Sequence, residues 1–102
     1  MAGKTEQKRY RLSLYVIGAT PHSARAIVNL RRICEEHAPG EYELRVVDVT
    51  HNPQAAKEHQ IVATPTLIRE APLPLQRLVG DMSRDEVVAR RLGLPPREGK
   101  PS

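Results

Sequence analysis

The sequence predicts one α/β domain whose N-terminal half is a strand–helix–strand unit. Three observations carry that prediction. The alternating apolar segment Tyr10 to Gly18 is followed by an amphipathic helical pattern closed by Pro39-Gly40, and then by the β-branched run Tyr42 to Thr50. Two strands joined by one helix over this span pair in parallel, with a right-handed crossover. A chain of 102 residues is the size of a single domain and buries a little over half of its unfolded surface.

The elements follow in order. Met1 to Arg9 is polar and charged, and is expected to be a loose lead-in. In "YRLSLYVIG", Leu12, Leu14 and Val16 lie on one face, with Tyr15 and Ile17 on the other, as in a strand buried on both sides. Thr20 is a good N-cap for the next helix and Pro21 a good first residue. Ala26, Ile27, Leu30, Ile33 and Cys34 recur at the i, i+4, i+7 spacing of one buried face, and Pro39-Gly40 ends the helix. Tyr42 to Thr50 forms the second strand, β-branched towards its end. "HNPQAAKEHQ" repeats the start signal, Asn52 as cap and Pro53 behind it, but supports only a short polar helix. "ATPTLIRE" is a third strand. "APLPLQRLVGD" carries Pro72 and Pro74, which leaves at best an edge strand. In "MSRDEVVARRLGL", Ser83 and Glu86 form a capping box and Gly93 closes the helix. Pro95 and Pro96 bar continuation, so residues 95–102 read as a loose basic tail beyond a domain spanning 10–94.

Composition narrows the partners. Sixteen Lys+Arg against twelve Asp+Glu give a formal charge of +4 on a mixed surface, with a mild preference for acidic protein faces or polyanions. Tyr10, Tyr15 and Tyr42 are the only aromatics, too few for a base-stacking platform, so nucleic acid is a disfavoured partner. A single cysteine excludes an intramolecular disulfide and suits a reducing compartment. No apolar run reaches membrane-spanning length and no hydrophobic segment opens the chain. A cytoplasmic protein without a membrane partner is the expectation.

Few residues offer catalytic chemistry. Cys34 falls mid-helix on the apolar face, whereas a reactive thiol needs a helix N-terminus or a cationic neighbour. His22, His37, His51 and His59 supply no close ligand pair, and His51 and His59 bracket the short helix as solvated side chains. The glycines form no phosphate loop, and no nucleophile pairs with a base, so neither a cofactor nor a catalytic residue is assigned. Asp85 suits the dipole of the last helix. Asp48, inside a strand of valines, needs a partner; a structural and a binding role are equally open. Arg25, Arg45, Arg69 and Arg77 come from four elements. A solvated face is the plain reading, and a bidentate grip on a partner's carboxylates the functional one.

"IVATPTLIRE" resembles the proline loop of thioredoxin-like proteins, which faces a Cys-x-x-Cys at a helix N-terminus. If Pro21 matches the proline of that site, the two cysteine positions are Ala19 and His22. The redox pair is absent. Together, "LYVIGATPHSARA", "VVDVTHNPQ", "IVATPTL" and "LVGDMSRDEVV" resemble the KaiB family of bacterial circadian clock proteins, without gaps from about Tyr10 to Leu94. A similar cousin is the sensory domain of the clock-associated histidine kinase SasA, although no kinase region follows in this sequence.

The resemblance implies a non-enzymatic regulator that binds the N-terminal ATPase ring of KaiC, a RecA-like hexameric ATPase. The assembled ring can then sequester KaiA, and a sensor histidine kinase is another possible partner. It implies a metamorphic chain: a stored homo-oligomer, usually a tetramer, with a differently folded C-terminal half, and a monomeric thioredoxin-like binding form. Carried over by position, partner contact falls on Arg25, Asp48, Ala63, Arg69 and Arg77, and Pro65 becomes the cis proline of the binding form. Pro72 and Pro74 lie in the half that refolds. In clock members a glycine and an aspartate, whose replacement locks the binding form, and a following aromatic correspond to Arg91, Gly93 and Pro96, and none matches. Arg97 and Lys100 stand where those members have an acidic tail. The rival function is a thioredoxin-like redox or chaperone protein that lacks its Cys-x-x-Cys.

Overall fold

A central strand, β1 (Tyr10–Val16), organises the sheet of this computed structural model, which describes residues 8–97. It is flanked by β2 (Tyr42–Asp48) in parallel and by β3 (Thr66–Ala71) in antiparallel sense. The antiparallel edge strand β4 (Gln76–Val79) completes the order β2-β1-β3-β4. The helices are α1 (Pro21–His37), the short α2 (Pro53–Glu58) and α3 (Asp85–Leu92). The parallel strand–helix–strand unit and the proline-flanked edge strand are both as expected from sequence. Residues 1–7 of the lead-in and 98–102 of the tail lie outside the described residues.

The core lies between one sheet face and helices α1 and α3. Leu12, Leu14 and Val16 of β1 and Leu67 of β3 meet Ala26, Leu30, Ile33 and Cys34 of α1, with Val88, Ala89 and Leu92 of α3 in the same cluster. Alternation in the strands and the i, i+4, i+7 rows in the helices place these side chains together. Each large apolar side chain contributes about 1.5–3 kcal/mol by leaving water. The opposite sheet face is polar at its β1–β2 side, where Arg45 donates to Ser13 Oγ at 3.4 Å and lies 3.9 Å from Glu70.

Helix termini divide into those the sequence placed well and those it misplaced. Thr20 caps α1, its Oγ1 accepting from the Ser23 N–H at 3.1 Å, and Pro21 follows as the first helical residue. Gly93 ends α3 with φ of 72°, the left-handed conformation glycine adopts cheaply. Asn52 occupies the cap position of α2 as expected but makes no side-chain cap hydrogen bond: its side chain turns back and donates to the Asp48 carbonyl at 3.1 Å. Nor does a Ser83–Glu86 box open α3. The cap position is Arg84, without a side-chain cap hydrogen bond, and the Ser83 N–H that Glu86 would accept from in such a box is held by Asp81 Oδ1 at 3.1 Å. The second strand stops at Asp48, two residues short of Thr50, where a tight turn takes over.

Candidate functional site

Strand direction gathers one set of loops at one end of the sheet. The parallel strands β1 and β2 finish together, Val16 opposite Asp48. Thr66 opens β3 opposite Tyr15 and also faces Val79, the last residue of β4. Ile17, Asp48, the Ala63–Pro65 turn, Val79 and the first turn of α1 therefore share this end. The Thr64–Pro65 peptide bond is cis; Ala63 O accepts from Thr66 Oγ1, and Pro65 O accepts from the Gly80 N–H at 3.0 Å. Three apolar side chains stand in solvent here: Val62 at 94 %, Val79 at 61 % and Ile17 at 45 % exposure. Apolar side chains gathered at one loop-built end mark an interaction surface.

Thiol chemistry is missing from this end. Ala19 and His22 flank Thr20-Pro21 at the start of α1, and both are exposed. Cys34 is fully buried, and burial, followed by the charge of Glu35, pushes its thiol up to about 12. It is a core side chain. Among the described residues no group of three or more His, Cys, Asp and Glu side chains could hold a metal ion. His51 is solvated, but His59 is not: it is half-buried, its ring 5.5 Å from that of Tyr15.

Asp48 is bound locally. Its Oδ1 accepts from the Thr50 hydroxyl at 2.6 Å and the Thr50 N–H at 2.9 Å, and His51 Nδ1 lies 3.4 Å from Oδ2. Those two Thr50 bonds, in that order, lower the carboxyl to about 2. The partner that a strand-end carboxylate requires is thus the turn that follows it.

The four arginines do not form one face. Arg25, one turn into α1, lies 3.6 Å from Asp81 Oδ2, close to the apolar end. Arg77, on β4, donates to the His59 carbonyl at 2.8 Å and remains exposed. Arg45 sits on the polar sheet face with Ser13 and Glu70. Arg69 is the departure from a solvated or partner-gripping role. It is only 7 % exposed, with Nη1 donating to Leu92 O and Nη2 to Pro74 O, each at 2.8 Å. In this conformation it braces the end of α3 and the β3–β4 hairpin, and offers no donor fork to a partner. Period-two alternation held the clue, because Arg69 shares a strand face with Leu67.

Arg91, Gly93 and Pro96 sit at the far end of α3. Arg91 Nη2 donates to Arg77 O at 3.2 Å, and Gly93 O accepts from the Tyr10 hydroxyl at 3.3 Å. A Cβ on Gly93 would stand 3.0 Å from Arg69 Nη1. Pro96 is exposed and follows Pro95, whose carbonyl is 2.8 Å from His37 Nδ1. Sequence reading missed a polar row on α1. Asn29 donates to Asp81 O at 2.9 Å, and Arg32 forks onto Asp85, with Nη2 to Oδ1 at 3.1 Å. Arg25, Asn29 and Arg32 have i, i+4, i+7 spacing, a polar stripe beside the apolar one that the sequence did carry.

Comparison with known proteins decides the family. Residues 13–94 match the family model described as the KaiB domain. The chain belongs to the KaiB family. The circadian clock oscillator protein KaiB of Synechococcus elongatus is 49 % identical over 88 residues, 86 % of each chain. The circadian clock protein KaiB3 of Synechocystis is 43 % identical over 91 residues, 89 % of each chain. Among solved structures, the N-terminal domain of SasA from Synechococcus elongatus superposes with a TM-score of 0.68 at 22 % identity, covering 98 % of this chain and 96 % of that one. Mitochondrial thioredoxin 3 of Saccharomyces cerevisiae gives 0.69 at 16 % identity, covering 85 % and 79 %. The fold is thioredoxin-like, and the curated relatives that the chain matches are circadian clock proteins of the KaiB family. Among the described residues no helix is long and apolar enough to cross a membrane.

Proposed function

We propose that this chain is a non-enzymatic binding protein that docks on the N-terminal ATPase ring of a KaiC-type hexamer and modulates its phosphorylation cycle or output. The observation that carries this reading is a thioredoxin-like active-site end with the cysteine positions filled by Ala19 and His22 and with Ile17, Val62 and Val79 exposed around the cis Thr64–Pro65 turn. An end that retains its shape, lacks thiols and exposes apolar side chains is suited to binding a protein surface. Ala63 and Asp48 edge this surface, Arg25 stands beside it through Asp81, and Arg77 lies one step along β4. Arg69 acts indirectly, by holding α3 and the hairpin in the binding form.

Size-exclusion chromatography of the purified chain with a KaiC-type hexamer, in ATP and in ADP, tests the reading. Nucleotide-dependent co-elution is expected. Independent elution in both nucleotides, together with turnover in an insulin disulfide-reduction assay, would replace it with a redox role.

A further inference from the structure

A second surface lies along the free edge of β4, and we infer that it receives an extended acidic segment of a partner protein, added to the sheet as a fifth strand. The inference does not rest on the ATPase reading, since it requires only a partner with such a segment, although Arg77 and Val79 border both surfaces. A groove of about 410 Å³ runs between this edge and α3, lined by Arg77, Val79, Met82, Arg84, Val87 and Arg91 among others.

Backbone direction provides the first argument. In an antiparallel pair, alternate residues turn both N–H and C=O towards the partner strand. The Gly80 N–H donates inward to Pro65 O, so Leu78 also faces β3, and Arg77 and Val79 turn outward. The outward orientation is visible directly in the Arg77 carbonyl, which accepts from Arg91 Nη2 at 3.2 Å. A long side chain on an edge carbonyl is a removable cover, and an incoming strand N–H would replace it.

Charge provides the second argument. Among the described residues no ion pair joins Arg77, Arg84 or Arg91 to a carboxylate. The one acid lining the groove, Asp81, is held by the Ser83 N–H and faces Arg25. Arg84 and Arg91 lie with exposed Val87 on the α3 side of this edge, and Arg77 with exposed Val79 on the other side. An added strand thus meets an arginine and an exposed valine on each face, which calls for acidic and apolar side chains along it. A second copy of this chain is a poor occupant, because edge-to-edge pairing would set the same arginines against each other. Nucleic acid would leave the apolar floor and the outward N–H groups unused.

The probe is a short synthetic peptide alternating glutamate and valine, titrated into the intact chain with amide exchange read by NMR. Saturable binding is expected, with exchange at Arg77 and Val79 slowed by about tenfold. Val79→Pro removes an outward-facing N–H together with the exposed valine side chain, breaks no bond to β3, and should abolish binding with the circular dichroism unchanged. Arg84→Glu, at an exposed position, should weaken binding by about fivefold or more. The lysine–valine counterpart should not bind. The inference is overturned by equal binding of the lysine peptide, by protection confined to β2, by unaltered affinity in Arg84→Glu, by no saturation at millimolar peptide, or by an oligonucleotide that competes equally well for the groove.

Discussion

Arg69 is a charged side chain in an apolar setting whose two Nη atoms both reach main-chain carbonyls, one of them at the C-terminus of α3. A guanidinium at a helix C-terminus also complements the helix dipole. Replacement by methionine leaves Leu92 O and Pro74 O without their donors, and is expected to cost about 2 kcal/mol in urea unfolding, with faster amide exchange through α3. An unchanged unfolding midpoint would remove the brace from the account. Gly93→Ala is expected to destabilise the same region by about 1 kcal/mol, since alanine resists the left-handed φ and its Cβ meets Arg69 Nη1. Three carboxylates define the acid limit. Asp48 is lowered by Thr50, Asp81 chiefly by Ser83, and Asp85 chiefly by Arg32. A carboxyl lowered in the folded state stabilises it above the unfolded value near 3.9, and that contribution is lost as pH falls through the folded one. Stability should hold from pH 7 to about 5, then decline towards pH 2. Asp48→Asn should flatten part of that decline. At this scale the burial of Arg69 was readable from its alternation with Leu67, but its acceptors were not, because Leu92 and Pro74 reach it only through tertiary packing.

The elements were legible wherever apolar period and helix-start chemistry agreed. Thr20-Pro21 and the Ala26, Leu30, Ile33 row fix α1, and the prolines around "PLPLQRLV" make β4 an edge. Caps were less legible where several polar residues competed for one role. Ser83 has the right chemistry for a cap, but Asp81 two residues earlier takes its N–H, and the helix opens at Asp85 behind Arg84. Arg84→Asp should therefore supply the missing cap and stabilise the protein by about 1 kcal/mol, seen as a raised thermal midpoint. The same substitution should weaken acidic-peptide binding at the β4 edge, so stability and docking would move in opposite directions. A lowered midpoint would mean that Arg84 makes a structural contribution its exposed setting does not suggest.

For the whole molecule, α1 is joined to the C-terminal half by Arg25–Asp81, Asn29–Asp81 and Arg32–Asp85, and Arg97 lies 3.4 Å from Glu36. These contacts belong to the thioredoxin-like arrangement. Arg91 reinforces it as a good helix former that also reaches Arg77 O. The monomeric thioredoxin-like form is accordingly expected to be more populated here than in clock members with glycine at the matching position. Size-exclusion chromatography with NMR checks this, and a single tetrameric state without monomer would contradict it. The absent redox pair and the proline turn were visible in the sequence; the convergence of Ile17, Val62 and Val79 at one end was not, because it depends on strand direction across four strands. The most direct test of the central claim is the affinity of this chain and of its Val62→Asp variant for a KaiC-type hexamer, measured by biolayer interferometry. The account predicts that the fully exposed Val62 tolerates aspartate without loss of fold while affinity falls by about tenfold or more. Equal affinity of the two proteins for the hexamer would contradict it.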